Sequence, residues 1–307
     1  MKKISVITPV YYNEHSLPLL SEELLKLDQA LREKDIQLEM IFVDDGSRDN
    51  SLIELHKFKL QFERTTIVKL SRNFGSMQAL RTGLRFVKGD AFTFLSADLQ
   101  DPPALIIQMA DRWLQGEKYI VCAREQRRDP LASRFFSALY YKLLRLFVVK
   151  DYPDGGYDLA LMDKDLLPYM QNSGKHTNLL LYAHALGFKS EIIRYERKAR
   201  SHGKSMWTFS KKVNFFVDSI LGFSIMPIRY VSAFGIIASM CSFAYGVFII
   251  LTAIFVSAPV PGWASTMTLL ATFFGVVIFM LGLISEYIWR IFNEVNRSPD
   301  AVIDEVF

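Results

Sequence analysis

The sequence predicts an α/β fold, a Rossmann-like and mainly parallel sheet, followed by an amphipathic segment and a hairpin of two membrane-length helices. Three observations point there. Short β-rich runs alternate with amphipathic ones up to Ala123. The stretch between Arg229 and Glu286 holds no Asp, Glu, Lys, Arg or His. Acid-rich polar clusters stand directly after three of the β-rich runs.

In chain order the alternation reads Ile4–Val10, Leu17–Arg32, Leu38–Val43, Leu52–Phe62, Thr66–Leu70, Met77–Val87, Ala91–Leu95, Leu105–Leu114 and Tyr119–Ala123. Strand–helix repetition of this kind specifies parallel strands covered on both faces. Ligands of such sheets bind at the carboxyl ends of the strands, so chemistry is sought in the residues just after each one. Beyond Ala123 come a basic stretch, Arg124 to Arg134, an aromatic run, Phe135 to Val149, and a Gly-containing turn at Asp154–Tyr157.

Within Trp207–Phe223, the residues Phe209, Val213, Phe216, Ile220 and Phe223 recur at helical spacing, with Lys211, Lys212, Asn214 and Asp218 on other faces. Two readings fit: a helix packed on the preceding domain, or one lying in a membrane interface. Its position directly before the uncharged stretch favours the interface. At ~1.5 Å per residue, that stretch is too long for one crossing of a ~30 Å hydrocarbon core and about right for two. Pro259, Pro261 and Gly262 mark the turn. The expected organisation is an α/β domain over 1–205, an interfacial helix over 206–228, two membrane helices within 229–289 (230–256 and 266–288) and a tail over 290–307. Lys211, Lys212 and Arg229 precede the hairpin, Arg290 and Arg297 follow it, and the turn carries no cation. Positive residues favour the cytosol, so both termini are expected there.

Composition narrows the function. A net charge of +4 in 307 residues excludes a cation-saturated nucleic-acid binder. Two cysteines, Cys122 and Cys241, support neither a disulfide framework nor a zinc site. No signal peptide is expected, because Ile4–Val10 is short and interrupted by Pro9.

The three polar clusters are Pro9-Val10-Tyr11-Tyr12-Asn13-Glu14, Asp44-Asp45-Gly46-Ser47-Arg48-Asp49 and Ser96-Ala97-Asp98-Leu99-Gln100-Asp101-Pro102-Pro103. Any one of them is explained by a turn and a helix cap. All three at one sheet edge would gather repelling carboxylates, an arrangement that a divalent cation makes tolerable.

With Arg72-Asn73-Phe74-Gly75 added, these motifs resemble the polyisoprenyl-phosphate glycosyltransferases, GT-A fold enzymes of glycosyltransferase family 2 similar to dolichol-phosphate mannose synthases and bactoprenol glucosyltransferases. The resemblance covers nearly the whole chain, the hairpin included. It implies nucleotide-sugar contacts at Pro9, Tyr11, Glu14, Asp44, Asp45, Asp98 and Arg124. Asp98 and Gln100 match the loop that holds Mg²⁺ or Mn²⁺, although Ser96 stands where the family often has a first Asp. Arg200 and Lys204, in the run Arg197–Ser205, match a basic phosphate-gripping loop. Asp158 falls at the position usually assigned as catalytic base, with Asp154 and Asp163 as alternatives, and Ala160 replaces a frequent arginine.

The implied activity is transfer of a hexose, glucose from UDP-glucose, onto undecaprenyl phosphate at the cytosolic face of the bacterial inner membrane, with inversion. The partners expected are the donor, the lipid phosphate, the bilayer and further copies of the chain, a tetramer among the possible homo-oligomers; nucleic acid is not among them. Gly235, Gly246, Gly275 and Gly282 offer close-packing positions for such copies. Two other readings remain open at this point: a processive polysaccharide synthase, whose Gln-x-x-Arg-Trp motif is approached but not matched by Gln108–Trp113, and a non-catalytic lipid-binding scaffold.

Overall fold

In β2 (Ile36–Asp44) every residue but Gln37 is buried, as a parallel strand covered on both faces requires. It lies near the middle of an eight-stranded sheet in a computed structural model that describes residues 1–124, 140–146, 148–153, 156–175, 177–195, 219, 223, 226–255, 262–296 and 299–307. The strand order is β7-β5-β6-β4-β1-β2-β3-β8. β1 (Lys2–Val10), β2, β3 (Thr65–Leu70) and β4 (Ala91–Phe94) run parallel, as do β5 (Tyr119–Arg124) and β7 (Ser190–Tyr195). β6 (Tyr157–Asp163) is antiparallel to both its neighbours, and β8 (Ile303–Val306) is antiparallel to β3.

Helices connect the parallel strands. α1 (Leu17–Arg32) opens with a proline in its first turn and buries Leu17, Leu20, Leu24, Leu27 and Leu31, a stripe spaced three and four residues apart. That stripe meets Ile4, Val6, Leu38, Met40 and Phe42 of the sheet, together with Ile106, Met109 and Trp113 of α4 (Leu105–Leu114). α2 (Ser51–Gln61) and α3 (Ser76–Gly83) complete the connections among the first four strands. The short helices α5 (Leu167–Gln171) and α6 (Leu179–Ala185) lie between β6 and β7. Asn178 caps α6 by accepting from the amides of Leu180 and Leu181.

The chain divides into two units, Met1–Ile220 with Ser298–Phe307, and Leu221–Arg297. The second contains α7 (Met226–Phe255) and α8 (Trp263–Val295), each long and apolar enough to cross a membrane. Of the four glycines expected to mediate packing, Gly235 lies where a Cβ would come 2.9 Å from the Met280 side chain, so it is spent on the contact between α7 and α8. Gly246, Gly275 and Gly282 face open space.

The helix expected over 206–228 falls mainly outside the described residues. Within it, Ser219 is fully buried and accepts a hydrogen bond from the Tyr140 hydroxyl at 3.0 Å, a contact inside the sheet unit. α8 extends past the expected end at 288, since nothing breaks the helix before Asn296 and Arg290 reaches Glu286 at 3.1 Å one turn back. Within the tail expected over 290–307, the last residues form β8, an edge strand of the sheet.

One polar group inside the first unit ties elements far apart in sequence. Asp28, buried on α1, accepts from Arg32 at 2.7 Å and from Arg64, which precedes β3, at 2.9 and 3.1 Å. Arg32 is mostly solvated, so the Arg64 contact carries the larger share. Asp28→Ala leaves the Arg64 guanidinium without its carboxylate, and a loss of about 1–3 kcal/mol in denaturant unfolding of the solubilised protein is expected.

Candidate active site

Because six strands share one direction, the carboxyl ends of β1, β2, β3, β4, β5 and β7 fall on a single edge, joined there by the first residues of the reversed strands β6 and β8. The acid-rich clusters are therefore neighbours, as expected from their position after strands.

Asp44 closes β2 and Asp45 follows it directly, and both are buried. Asp45 Oδ1 accepts from the Phe74 amide at 2.7 Å and Oδ2 from the Gly75 amide at 2.9 Å. Asp44 Oδ1 accepts from the Ser47 amide at 3.2 Å, while its Oδ2 is buried with no hydrogen-bond partner among the described residues. Burial pushes both carboxyls above the ordinary carboxylate value, against the lowering effect of these hydrogen bonds. Gly46 has φ +73°, and a Cβ on it would lie 2.6 Å from the Arg72 backbone, so the 72–75 loop sits directly on the Asp-Asp-Gly turn.

The turn after β1 is bound to the same loops. The Tyr12 amide donates to the Ser47 hydroxyl at 3.1 Å, and the Glu14 amide to Asp49 at 3.3 Å. Glu14 in turn accepts from the Asn50 amide at 3.0 Å, which makes it a loop brace in this structure. Tyr11 packs edge-on against Tyr12 with ring centroids 4.5 Å apart, and Pro9 is half-buried just before them.

After β4, Asp98 Oδ1 accepts from the Ser96 hydroxyl at 2.8 Å and from the Gln100 amide at 3.2 Å. Leu99 between them has φ +57°, a left-handed turn that folds the loop back on Asp98. Ser96, which stands where the family often has a first Asp, thus serves as a hydrogen-bond donor to Asp98. Asp101, also buried, accepts from the Tyr195 hydroxyl at the end of β7.

Arg124, the last residue of β5, forms an ion pair with Asp158. The β5–β6 register pairs Cys122 with Leu159 and Ala123 with Tyr157, so Asp158 is the extra residue of a β-bulge. A bulge re-aims its side chain, and Asp158 remains 44% exposed while Arg124 is 15% exposed. Arg200, Lys204 and Asp154 lie outside the described residues. The sequence reading missed the amides of Phe74 and Gly75 as partners of Asp45, and the Asp101–Tyr195 bond; backbone donors leave no residue-type signature.

The buried aspartates make stability pH-dependent. A carboxyl whose folded pKa is raised contributes stability that is full below its unfolded value and is lost as pH rises through the folded one. Asp44→Asn removes the charge and keeps an acceptor for Ser47. It is expected to raise the Tm at pH 7.5 and to leave it unchanged near pH 3, as scanning calorimetry or circular dichroism would read.

The sequence profile of glycosyl transferase family 2 matches residues 5–169. The chain is 32% identical to an uncharacterized glycosyltransferase of Synechocystis, over 99% of this chain and 96% of that protein. It is 28% identical to an undecaprenyl-phosphate 4-deoxy-4-formamido-L-arabinose transferase of Klebsiella pneumoniae, over 100% and 94% of the two chains. A prophage bactoprenol glucosyl transferase homolog of Escherichia coli is 26% identical over 99% of each. The GT-A-like sheet, the acidic edge and these relatives agree: the chain is a glycosyltransferase and belongs to glycosyl transferase family 2.

Proposed function

We propose that the protein transfers glucose from UDP-glucose to undecaprenyl phosphate at the cytosolic face of the bacterial inner membrane. The observation that carries this reading is one chain holding both an acidic donor-type edge (Asp44, Asp45, Asp98) and two bilayer-length apolar helices. The names of the Klebsiella and Escherichia relatives support a polyisoprenyl phosphate as acceptor. Topology receives support from β8. Segments before and after the hairpin share one sheet, which requires an even number of crossings between them.

In the reaction a phosphate oxygen of the acceptor forms a bond to the anomeric carbon while the bond from that carbon to the diphosphate oxygen breaks. The electron pair leaves with the nucleoside diphosphate, and a single displacement inverts the centre. Pro9, Tyr11, Asp44 and Asp45 hold the base and ribose. Arg124, Arg200 and Lys204 meet the negative charge of diphosphate and acceptor.

The donor set after β4 fits Mg²⁺ or Mn²⁺. Asp98 stands in a loop rich in hard oxygen atoms, with Ser96 and Gln100 beside it and the Asp101 carboxylate turned to Tyr195, and no group of three His, Cys, Asp or Glu forms a closed cage among the described residues. One carboxylate with substrate phosphates and water is how such cations are commonly held. A cation held by Asp98 and Gln100 would neutralise the departing diphosphate.

Asp158 acts by orienting rather than by removing a proton. A phosphate monoester has its second pKa near ~6 and arrives largely as the dianion, and the Asp158 carboxylate is engaged by Arg124.

Purified full-length protein, given radiolabelled nucleotide-sugars and undecaprenyl phosphate, is expected to move label from UDP-glucose into the organic phase. Asp98→Ala or excess EDTA should abolish transfer while circular dichroism is unchanged. Label in water-insoluble polymer would instead establish a processive synthase, and no turnover of any donor a scaffold. A protease site built into 259–262 is expected to resist cleavage from the cytosolic side of sealed vesicles; cutting there would overturn the hairpin topology.

A further inference from the structure

The residues that follow the two apolar helices return to the sheet, and they return at its functional edge. β8 runs antiparallel to β3, so its first residue, Ile303, lies beside Leu70, the last residue of β3. The Ser71 amide donates to the Val302 carbonyl at 3.0 Å, one residue beyond the strand. At the other end, the amides and carbonyls of Ile67 and Phe307 exchange hydrogen bonds of 3.0 and 2.8 Å, and the Phe307 ring meets His56 edge-on at 4.5 Å. Asp304 is skipped in the register, a bulge that lets both Asp304 and Glu305 reach Lys69, at 2.6 and 3.2 Å.

What β8 braces is the 71–75 loop. That loop supplies both amides that hold Asp45, and its backbone covers Gly46. α3 begins at Ser76, directly after it. On α3, Arg81 is 6% exposed and donates to the carbonyls of Ser173 and Thr177. Its Nε lies 3.9 Å from Asp300, which is 18% exposed and also 4.0 Å from the Lys175 ammonium. The C-terminal segment therefore meets both elements that flank the loop: β3 through Val302 where that strand enters it, and α3 through Asp300 beside Arg81 in the last turn of the helix that follows it.

We propose that residues 299–307 are a positioning element of the donor site, in which Asp300 and β8 set the 71–75 loop and thereby the affinity for the nucleoside diphosphate part of the donor. The segment touches no substrate; it acts through Asp45. The inference rests on the reading of Asp44 and Asp45 as donor contacts. It gives the strand after the membrane hairpin a role in substrate affinity beyond completing the sheet.

The test uses the full-length protein in lipid nanodiscs and measures the calorimetric Kd for UDP, with KM and kcat for transfer, at a temperature where circular dichroism shows every variant folded. Asp300→Asn, nearly isosteric and uncharged, is expected to raise the Kd and the donor KM about fivefold or more, with kcat at saturating donor and the KM for lipid phosphate unchanged. Asp300→Glu, which keeps the charge beside Arg81 and Lys175, is expected to recover most of the affinity. Deleting Phe307, which loosens the far end of β8, should move Kd in the same direction. An unchanged Kd in Asp300→Asn, with or without a lower Tm, reduces the segment to a structural strand and overturns the proposal, as does an equal loss in Asp300→Asn and Asp300→Glu. Asp44→Ala separates the two levels of argument. If it leaves UDP binding intact, the donor-site reading itself fails; if it abolishes binding while Asp300→Asn does not weaken it, only the positioning role fails.

Discussion

Two adjacent carboxylates buried at the end of one strand are the constraint around which this edge of the sheet is built. An ionised carboxylate taken out of water must recover its solvation from fixed dipoles, or it protonates or unfolds its surroundings. Asp45 recovers it from two consecutive backbone amides, Phe74 and Gly75, which can converge on one carboxyl only if the chain after β3 turns tightly over Gly46. Among the described residues Asp44 is compensated less completely, by Ser47 on one oxygen. A buried carboxyl with one oxygen left to satisfy is a group that gains when a complementary donor arrives. Ser47 and Asp49 extend the same network to the β1 turn through Tyr12 and Glu14, so three chain segments are locked to one another by the demand of burying acid.

The same edge bears on where the two apolar helices stand in the sequence. A strand of four residues has little pairing energy of its own, and β8 is held chiefly by β3, Lys69 and Phe307. Its presence means that the sheet is completed only after both apolar helices have been made. The catalytic unit is thus discontinuous in sequence, Met1–Ile220 with Ser298–Phe307, and the two apolar helices are an insertion in it more than an appendage. An insertion whose two ends must meet in one sheet restricts a spanning segment to an even number of crossings.

Much of this was legible in the sequence, because the signals were periodic or compositional. β1 to β5 and the intervening helices follow the alternation of apolar runs, and α7 and α8 follow from the absence of charge between Arg229 and Glu286. The strands that escaped are the two reversed outside that alternation and the closing parallel one. β6 comes after a long irregular stretch, β7 shows little burial contrast along its length, and β8 is four residues of Ile-Asp-Glu-Val with no period to read. The site divides in the same way. Acid-rich turns after strands were visible, whereas their partners were backbone amides or, for Asp158, an arginine whose proximity depends on sheet order. Glu14, a nucleotide-sugar contact on the resemblance, also engages its carboxylate with the Asn50 amide, a backbone partner that no residue type announces.

The bulge at Asp158 bears on how the transfer step is divided among the residues. Had β6 kept the register that pairs Cys122 with Leu159, Ala123 would face Asp158 and the carboxylate would stand in the regular row of the strand. The inserted residue turns it instead toward Arg124, at the mouth of β5. A guanidinium at that place is of use to a reaction in which negative charge accumulates on a leaving diphosphate, but unpaired it would swing with the rotamers of a long side chain. Pairing with a half-exposed carboxylate restricts it without the cost of a fully buried ion pair. Ala160, the position at which the resemblance implies a frequent arginine, carries no charge and is fully buried against β5. On the proposed reading the cationic role at this part of the edge falls to Arg124, with Asp158 holding it there.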